Sequence, residues 1–336
     1  MGPSTEPDRA GGTRTEADGL HDTGFDVVVV GRADAARDVV LVELGPADGT
    51  VLPGWTAGSH IDVVLPDGDV RQYSLTGEPS PGPVGSWRIG VLREPEGRGG
   101  SAWLHDRLAV GDTLRVAGPR NHFEFEPRAG TAAVLIAGGI GITAIAAMAS
   151  TARRAGVEYR VEYAGRSRAS MAFVDDLAAE HGDRLTVHAG DQGARLDLDE
   201  LFRGMAPFTT TYCCGPNRLL DAVETAARGR QLVTERFTPK EVGAPVRQES
   251  FEVELAMTGV TVTVPPDRSI LDVAEDAGAL VLSSCREGTC GTCETTVLEG
   301  TPDHRDSILT PDEQEHGDVM YVCVSRSACP RLVLDL

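Results

Sequence analysis

Three cysteines set close together, with a fourth far downstream, constrain this chain more than any other feature. Cys285, Cys290 and Cys293 fall at the spacing C-x4-C-x2-C, and Cys323 comes after 29 intervening residues within the apolar run Met320-Tyr321-Val322-Cys323-Val324. In this arrangement thiolates hold a 2Fe–2S cluster, three on a tight loop and the fourth brought in from a distance, here expected on a strand. Gly288 and Gly291 lack a Cβ, so the backbone is expected to press against the inorganic sulfides and aim N–H groups at them. Zinc and purely structural cysteines are the alternatives. Zinc takes two separated C-x2-C pairs, which an x4 gap followed by an x2 gap does not provide. Cys329 reads as a spare thiol, because Cys323 has the better spacing.

At 336 residues the chain has room for two or three domains. Short strands separated by Gly/Pro turns run from Phe25: residues 25–30, 39–44, 60–65, 70–75, 87–92 and 113–117, with one helix near 102–108. Such a set predicts a small antiparallel barrel. Near Gly130 the pattern changes to alternating β and α. Strands are expected at 132–137, 159–164, 185–189 and 209–214, with helices from the Gly138–Thr143 turn to about 154, around 171–180 and over 217–228. That alternation predicts a parallel, doubly wound sheet. Residues 238–249, with two prolines and little apolar character, read as a linker. Two alternating strands at 251–255 and 260–264, a helix over 270–277, the cysteine loop and a closing strand at 331–336 form an α+β (β-grasp) unit. The expected division is a tail over 1–23, a barrel over 24–128, an α/β domain over 129–237, the linker over 238–249 and the cluster domain over 250–336.

Two further stretches carry candidate chemistry. Arg71, Tyr73, Ser74 and Leu75 end a strand, and Arg98-Gly99-Gly100-Ser101 precedes a helix. A Gly-rich loop opening a helix cradles anions through free N–H groups and the helix dipole. Tyr73 can lie along a flat apolar ring while Ser74 donates to a ring nitrogen. Taken alone, each of these is equally a polar strand exit or an ordinary tight turn. Gly138-Gly139-Ile140-Gly141-Ile142-Thr143 is a second cradle, placed directly after a parallel strand where a dinucleotide pyrophosphate sits, though not in the strict G-x-G-x-x-G spacing. Past the next strand no acidic residue stands ready for a ribose 2′-OH. Arg166 and Arg168 are there instead, so the choice between NADH and NADPH stays open. Cys214-Gly215-Pro216 ends the fourth strand of this domain, at the edge where a parallel sheet places its ligand, so Cys214 is a candidate neighbour of a nicotinamide.

Charge narrows the partners. There are 51 acidic against 31 basic residues, a formal net charge of −20, and from Ser250 onward 16 acidic against 5 basic side chains. This excludes nucleic acid and an anionic membrane surface as natural partners. No apolar run reaches the ~20 residues of a membrane span. The first 23 residues hold no apolar stretch, so no secretory leader is expected there and the segment reads as disordered. Clustered cysteines argue against a disulfide framework, and the cytoplasm is the expected location.

With these residues in view, the chain resembles the phthalate dioxygenase reductase family, which includes vanillate O-demethylase reductases. The resemblance rests on Arg71-Gln72-Tyr73-Ser74, the loop at 97–101, Gly118-Pro119-Arg120-Asn121, the turn at 138–143, Cys214-Gly215-Pro216, Glu235-Arg236-Phe237, the cluster loop with its plant-type ferredoxin spacing, and the last strand. It implies FMN in the barrel, rather than the FAD of relatives with the same barrel. It also implies NADH or NADPH on the α/β domain and a 2Fe–2S ferredoxin at the C-terminus. By the same resemblance Arg71, Tyr73, Ser74, Leu75, Arg98, Gly99, Gly100 and Ser101 hold FMN with Phe237 near its ring, and Gly139, Gly141, Ile142, Thr143, Arg166, Cys214, Gly215 and Pro216 border the nucleotide. Ala144 stands where the family has proline. Electrons are expected to leave for a separate terminal oxygenase, Rieske-type or haem, docked on the acidic ferredoxin face. A stand-alone reductase of small quinone-type acceptors is the alternative.

Overall fold

The computed structural model describes residues 24–336; the tail expected over 1–23 lies outside the described residues. Six antiparallel strands form the first unit in the order β4-β3-β6-β1-β2-β5. They are β1 (Phe25–Ala36), β2 (Val39–Pro46), β3 (Ser59–Val64), β4 (Val70–Ser74), β5 (Trp87–Leu92) and β6 (Thr113–Asn121). A bridge between Leu75 and Ile89 draws the outer strands together, so the sheet curls toward closure. Alternate residues point inward. Val27, Val29, Val42, Leu44, Ile61, Val63, Ile89, Val91, Leu114 and Val116 are buried around Trp87, whose Nε1 donates to the Pro53 carbonyl at 3.0 Å. Each such aliphatic side chain stabilises the fold by roughly 1.5–3 kcal/mol. The helix expected at 102–108 is α1 (Gly100–Asp106), which starts two residues earlier, directly on the Gly-rich loop.

The second unit is a five-stranded parallel sheet, β11-β10-β7-β8-β9, of β7 (Ala132–Gly138), β8 (Glu158–Gly165), β9 (Leu185–Ala189), β10 (Thr209–Cys214) and β11 (Leu232–Glu235). The helices are α2 (Ile142–Ala155), α3 (Val174–His181), α4 (Leu198–Arg203) and α5 (Asn217–Ala226). Period-2 alternation in β7 sorts its side chains. Ala133, Leu135 and Ala137 join α2 in the core shared with the barrel, while Val134 and Ile136 pack with Leu201, Phe202, Leu220 and Val223 from α4 and α5. Helix α2 is apolar almost all round because sheet and barrel cover both of its sides. The sequence reading did not include α4 or β11. Helix α4 is short and starts on Asp197, which accepts from the Glu200 N–H at 2.9 Å.

Residues 238–249 form no regular element. They are tied to the last unit where Lys240 N–H donates to Ser307 Oγ at 2.8 Å and Val246 N–H to Asp303 Oδ2 at 3.0 Å. That unit is a mixed sheet in the order β13-β12-β18-β14-β16. It comprises β12 (Phe251–Leu255), β13 (Val260–Val264), β14 (Glu294–Glu299), β16 (Val319–Tyr321) and β18 (Arg331–Leu334), with a small ribbon of β15 (Pro302–Asp303) and β17 (Arg326–Ser327). The closing strand is central: β18 runs parallel to β12 and antiparallel to β14. Helices α6 (Ile270–Asp276) and α7 (Pro311–His316) both start on capping boxes, Ser269 with Asp272 and Thr310 with Glu313. Among the described residues, no helix is long and apolar enough to cross a membrane.

Candidate redox and nucleotide sites

The end of β4 and the start of α1 meet in the first site. Gly99 takes φ +84°, a conformation that favours glycine, and caps α1 with no side chain. A Cβ at Gly100 would come within 2.9 Å of Arg71 Cγ and 2.8 Å of Leu65 Cδ1, so the loop and Arg71 fit together only with glycine there. Arg71 is braced: it donates to Asp69 Oδ2 at 2.7 Å, to the Val70 carbonyl at 2.9 Å and to the Arg98 carbonyl at 3.1 Å. A fixed cation beside a bare helix start suits a phosphate. Ser101 Oγ faces back and accepts from the Glu94 N–H at 3.0 Å. Next along, Ser74 Oγ is buried with no partner, and such orphaned hydroxyls are costly unless a ligand satisfies them. The half-buried Tyr73 adjoins it; burial pushes its phenol above the ordinary value, against the nearby Arg71 charge. Leu75 is wholly buried in the core, so its side chain faces no ligand.

The second site lies where β7 and β10 end side by side and the chain leaves in opposite directions, the place where open α/β sheets bind ligands. Three glycines make the crossing. A Cβ on Gly141 would overlap the Cys214 carbonyl, one on Gly138 would lie 2.8 Å from Pro216 Cδ, and one on Gly215 would lie 2.9 Å from Gly138 Cα. Gly139 needs glycine for its φ of +53°, with open space around it. The Thr143 side chain is engaged by the protein: its hydroxyl donates to the Ile140 carbonyl at 2.9 Å and its methyl packs on Gly90 of the barrel. Ile142 and Ala144 are buried, and Ala144 sits in the first turn of α2 without disturbing it. Beyond β8, Arg168 is held by Asp175 at 2.6 Å, while Arg166 is exposed and its guanidinium makes no hydrogen bond or ion pair among the described residues.

Cys214 has a neighbour that sequence reasoning gave no role. Its thiol donates to Glu235 Oε2 at 3.6 Å, a bond to sulfur at long range. Burial pushes the Glu235 carboxyl up to about 8, with the Cys214 bond opposing, and burial pushes the Cys214 thiol well above its usual range. Arg236 anchors the next turn. It is buried and donates to Asn217 Oδ1 at 3.1 Å, Asp221 Oδ1 at 2.8 Å and Glu224 Oε1 at 2.8 Å, which fixes the chain while Phe237 stays exposed at the rim.

The four cysteines of the third site converge, all buried. Glu287 N–H donates to Cys285 Sγ at 3.3 Å and Cys285 N–H to Cys290 Sγ at 3.4 Å, while Thr292 Oγ1 lies 3.2 Å from Cys290 Sγ. Neighbouring thiols push Cys285 below its ordinary value and Cys290 and Cys323 above it. A buried thiolate set with backbone N–H donors around it fits an iron–sulfur cluster.

One expectation needs correction here, and two glycines gain a second role. Cys323 lies in the turn after β16, not on a strand, because the strand ends at Tyr321 and the chain must bend to reach the loop. The glycines serve protein packing on the side where a Cβ would stand. At Gly288 (φ +70°) that space is taken by Val324 and by Asp306, whose Cα is 3.2 Å away, and at Gly291 (φ +77°) by the ring of His122 from the barrel.

Comparison with known proteins agrees with this layout. The 2Fe-2S iron-sulfur cluster binding domain matches residues 253–328. The chain is 42% identical, over 92% of its length and 98% of the relative's, to a putative toluene-4-sulfonate monooxygenase system reductase subunit of Comamonas testosteroni. It is 40% identical to a vanillate O-demethylase oxidoreductase of Pseudomonas putida, over 93% of this chain and all of that one. Among solved structures, phthalate dioxygenase reductase superposes with a TM-score of 0.67 at 35% identity, covering 94% of this chain and 99% of its own; its description gives a modular structure for electron transfer from pyridine nucleotides to a 2Fe–2S centre. The order of barrel, parallel sheet and cluster domain, with matches near full length in sequence and structure, places the chain in the phthalate dioxygenase reductase family.

Proposed function

We propose that this protein is the reductase component of an oxygenase system, taking electrons from NAD(P)H through FMN to a 2Fe–2S cluster and on to a separate oxygenase. The observation that carries the reading is the joining of three sites in one chain, with the cluster loop resting on the strand that bears Arg71 and Tyr73. When bound, the flavin would accept the two electrons of one hydride and release them singly, which a cluster requires.

The chain's own residues bind and orient. Arg71 and the N–H groups of Gly100 and Ser101 would take the FMN phosphate, Ser74 Oγ would meet the ring, and Phe237 at the rim would cover its face. FMN suits the cradle because Arg71 offers one anion place, and Arg98 beyond it is engaged by Glu287 at 3.1 Å. The turn at 138–143 and Cys214-Gly215-Pro216 would hold the nicotinamide nucleotide, with Arg166 free to meet a 2′-phosphate. Cys285, Cys290, Cys293 and Cys323 would ligate the cluster. The excess of acidic side chains after Ser250 supports docking of a basic patch on the oxygenase against the cluster domain.

The test is Cys290→Ser. NAD(P)H-driven reduction of ferricyanide at the flavin should persist, while reduction of cytochrome c and of the oxygenase should be lost. Undiminished cytochrome c reduction in that variant would overturn the route. Extracted cofactor and a comparison of NADH with NADPH as donor settle the flavin and the nucleotide.

A further inference from the structure

Strand β4 shows two faces. Arg71 and Tyr73 belong to the flavin-side cradle, and Gln72 between them turns the opposite way, as alternation along a strand requires. Its amide Nε2 donates to Asp62 Oδ1 at 2.8 Å and to Ser284 Oγ at 2.7 Å. Asp62 is wholly buried, lies opposite Gln72 on β3, and is neutralised by Arg120 of β6. A buried carboxylate held in this way has little freedom, so it fixes the Gln72 amide and points its second N–H at Ser284.

Ser284 immediately precedes the ligand cysteine Cys285. Two further contacts bind the same loop to the barrel. Arg98 pairs with Glu287 at 3.1 Å, and the His122 ring fills the Cβ space of Gly291. The Arg98–Glu287 pair is half exposed and contributes little. The Gln72 bond is the better shielded polar tie.

We propose that Gln72 is a positioning residue for electron passage from flavin to cluster: the chain Arg120–Asp62–Gln72–Ser284 latches the cluster loop onto the back of the flavin-bearing strand. The proposal rests on the electron route given above. Each NAD(P)H supplies two electrons, which cross this contact one at a time and reduce two cytochrome c molecules, with one proton released. Electron passage falls steeply with separation, so a loop that spends less time docked passes electrons more slowly.

The experiment uses the holoenzyme with Gln72→Ala, Gln72→Glu, Ser284→Ala and the Gln72→Ala/Ser284→Ala double variant. Loss of one partly buried hydrogen bond lowers the docked-to-undocked ratio by about fivefold. Hydrogen exchange of the amides in 284–291 should quicken about fivefold in Gln72→Ala, with cytochrome c reduction falling by up to that factor and ferricyanide reduction unchanged. Ser284→Ala should match it, and the double variant should be no worse than either, since both remove the same bond between barrel and cluster loop. Gln72→Glu, which sets a second carboxylate against Asp62, should be worse than alanine. Unchanged exchange and unchanged cytochrome c reduction in Gln72→Ala would overturn the latch, as would an equal fall with both acceptors. Wild-type protein that reduces ferricyanide but not cytochrome c would overturn the route itself.

Discussion

Replacing Gly141 with alanine isolates what holds the nucleotide site together. Gly141 has φ −57°, which any residue adopts, so the substitution adds no backbone strain and alanine is the better helix former. The cost is steric. The new methyl would overlap the Cys214 carbonyl oxygen, with the Gly215 nitrogen at 2.8 Å, and both are backbone atoms that cannot rotate aside. The ends of β7 and β10 must therefore part. Overpacking of this kind costs about 1–3 kcal/mol, or a fall of about 2–10 °C in Tm for a domain of this size. Gly139→Ala reverses the logic: nothing stands within 4 Å of its Cβ, but φ is +53°, so the penalty is about 1–2 kcal/mol of strain with no displacement of Cys214. Thermal unfolding combined with the KM for NAD(P)H separates the two. Gly141→Ala should raise KM at least tenfold along with its loss of stability, because the floor of the site moves. Gly139→Ala should lose comparable stability, with a smaller effect on KM. A Gly141→Ala protein with wild-type Tm and KM would refute the close approach of the two strand ends.

Two other outcomes follow from buried polar groups. Ser74→Ala removes a hydroxyl that lacks a protein partner, so the apoprotein should be as stable as wild type or up to about 1 kcal/mol more so. Flavin affinity, read by fluorescence titration, should fall about fivefold to tenfold, and an unchanged affinity would remove Ser74 from the site. Glu235 carries a carboxyl raised by burial from 4.5 to about 8. The folded state thus holds a proton that the unfolded chain releases above 4.5, and the associated stability, present below that pH, is lost as pH rises toward 8. Its upper bound is about 5 kcal/mol. Glu235→Gln should therefore match wild type near pH 4.5 and be the more stable protein near pH 8, and identical pH–Tm curves would contradict the raised carboxyl.

Much of the fold was legible because each unit announces its own period. The barrel strands alternate between turns, β7 reads as a continuous apolar run ahead of a glycine turn, and β12 and β13 alternate again. What was missed is short or lacks a period. Helices α4 and α7 have six residues each and are set by caps, Asp197 and the Thr310–Glu313 box, rather than by an apolar stripe. Strand β11 lies at the sheet edge with all four residues only half buried, so it never shows the buried-strand signature. Cys323 was read as part of a strand because Val322 and Val324 flank it. Those valines are apolar because they pack beneath the cluster loop, and the turn that exposes the thiol to its partners leaves no mark in composition.

Site residues divide along the same line. Spacing singled out four cysteines that the fold gathers in one buried place, since a cluster imposes local separation on its loop. Residues that act between units had no such signal. Gln72 reads as an ordinary polar strand position, and only the fold brings it against its partner Ser284, 212 positions along the chain. His122 carries no signal in the sequence until the Gly291 backbone is found against its ring, and Glu235 becomes a neighbour of Cys214 only through the parallel pairing of β10 with β11. The glycines carry the general lesson. In sequence, Gly288 and Gly291 look like concessions to inorganic sulfide, but the space where their side chains would stand is filled by Val324, Asp306 and His122. Two constraints therefore meet on one loop: the cysteine spacing suits a cluster, and the glycines between the cysteines answer to the protein packed against the loop.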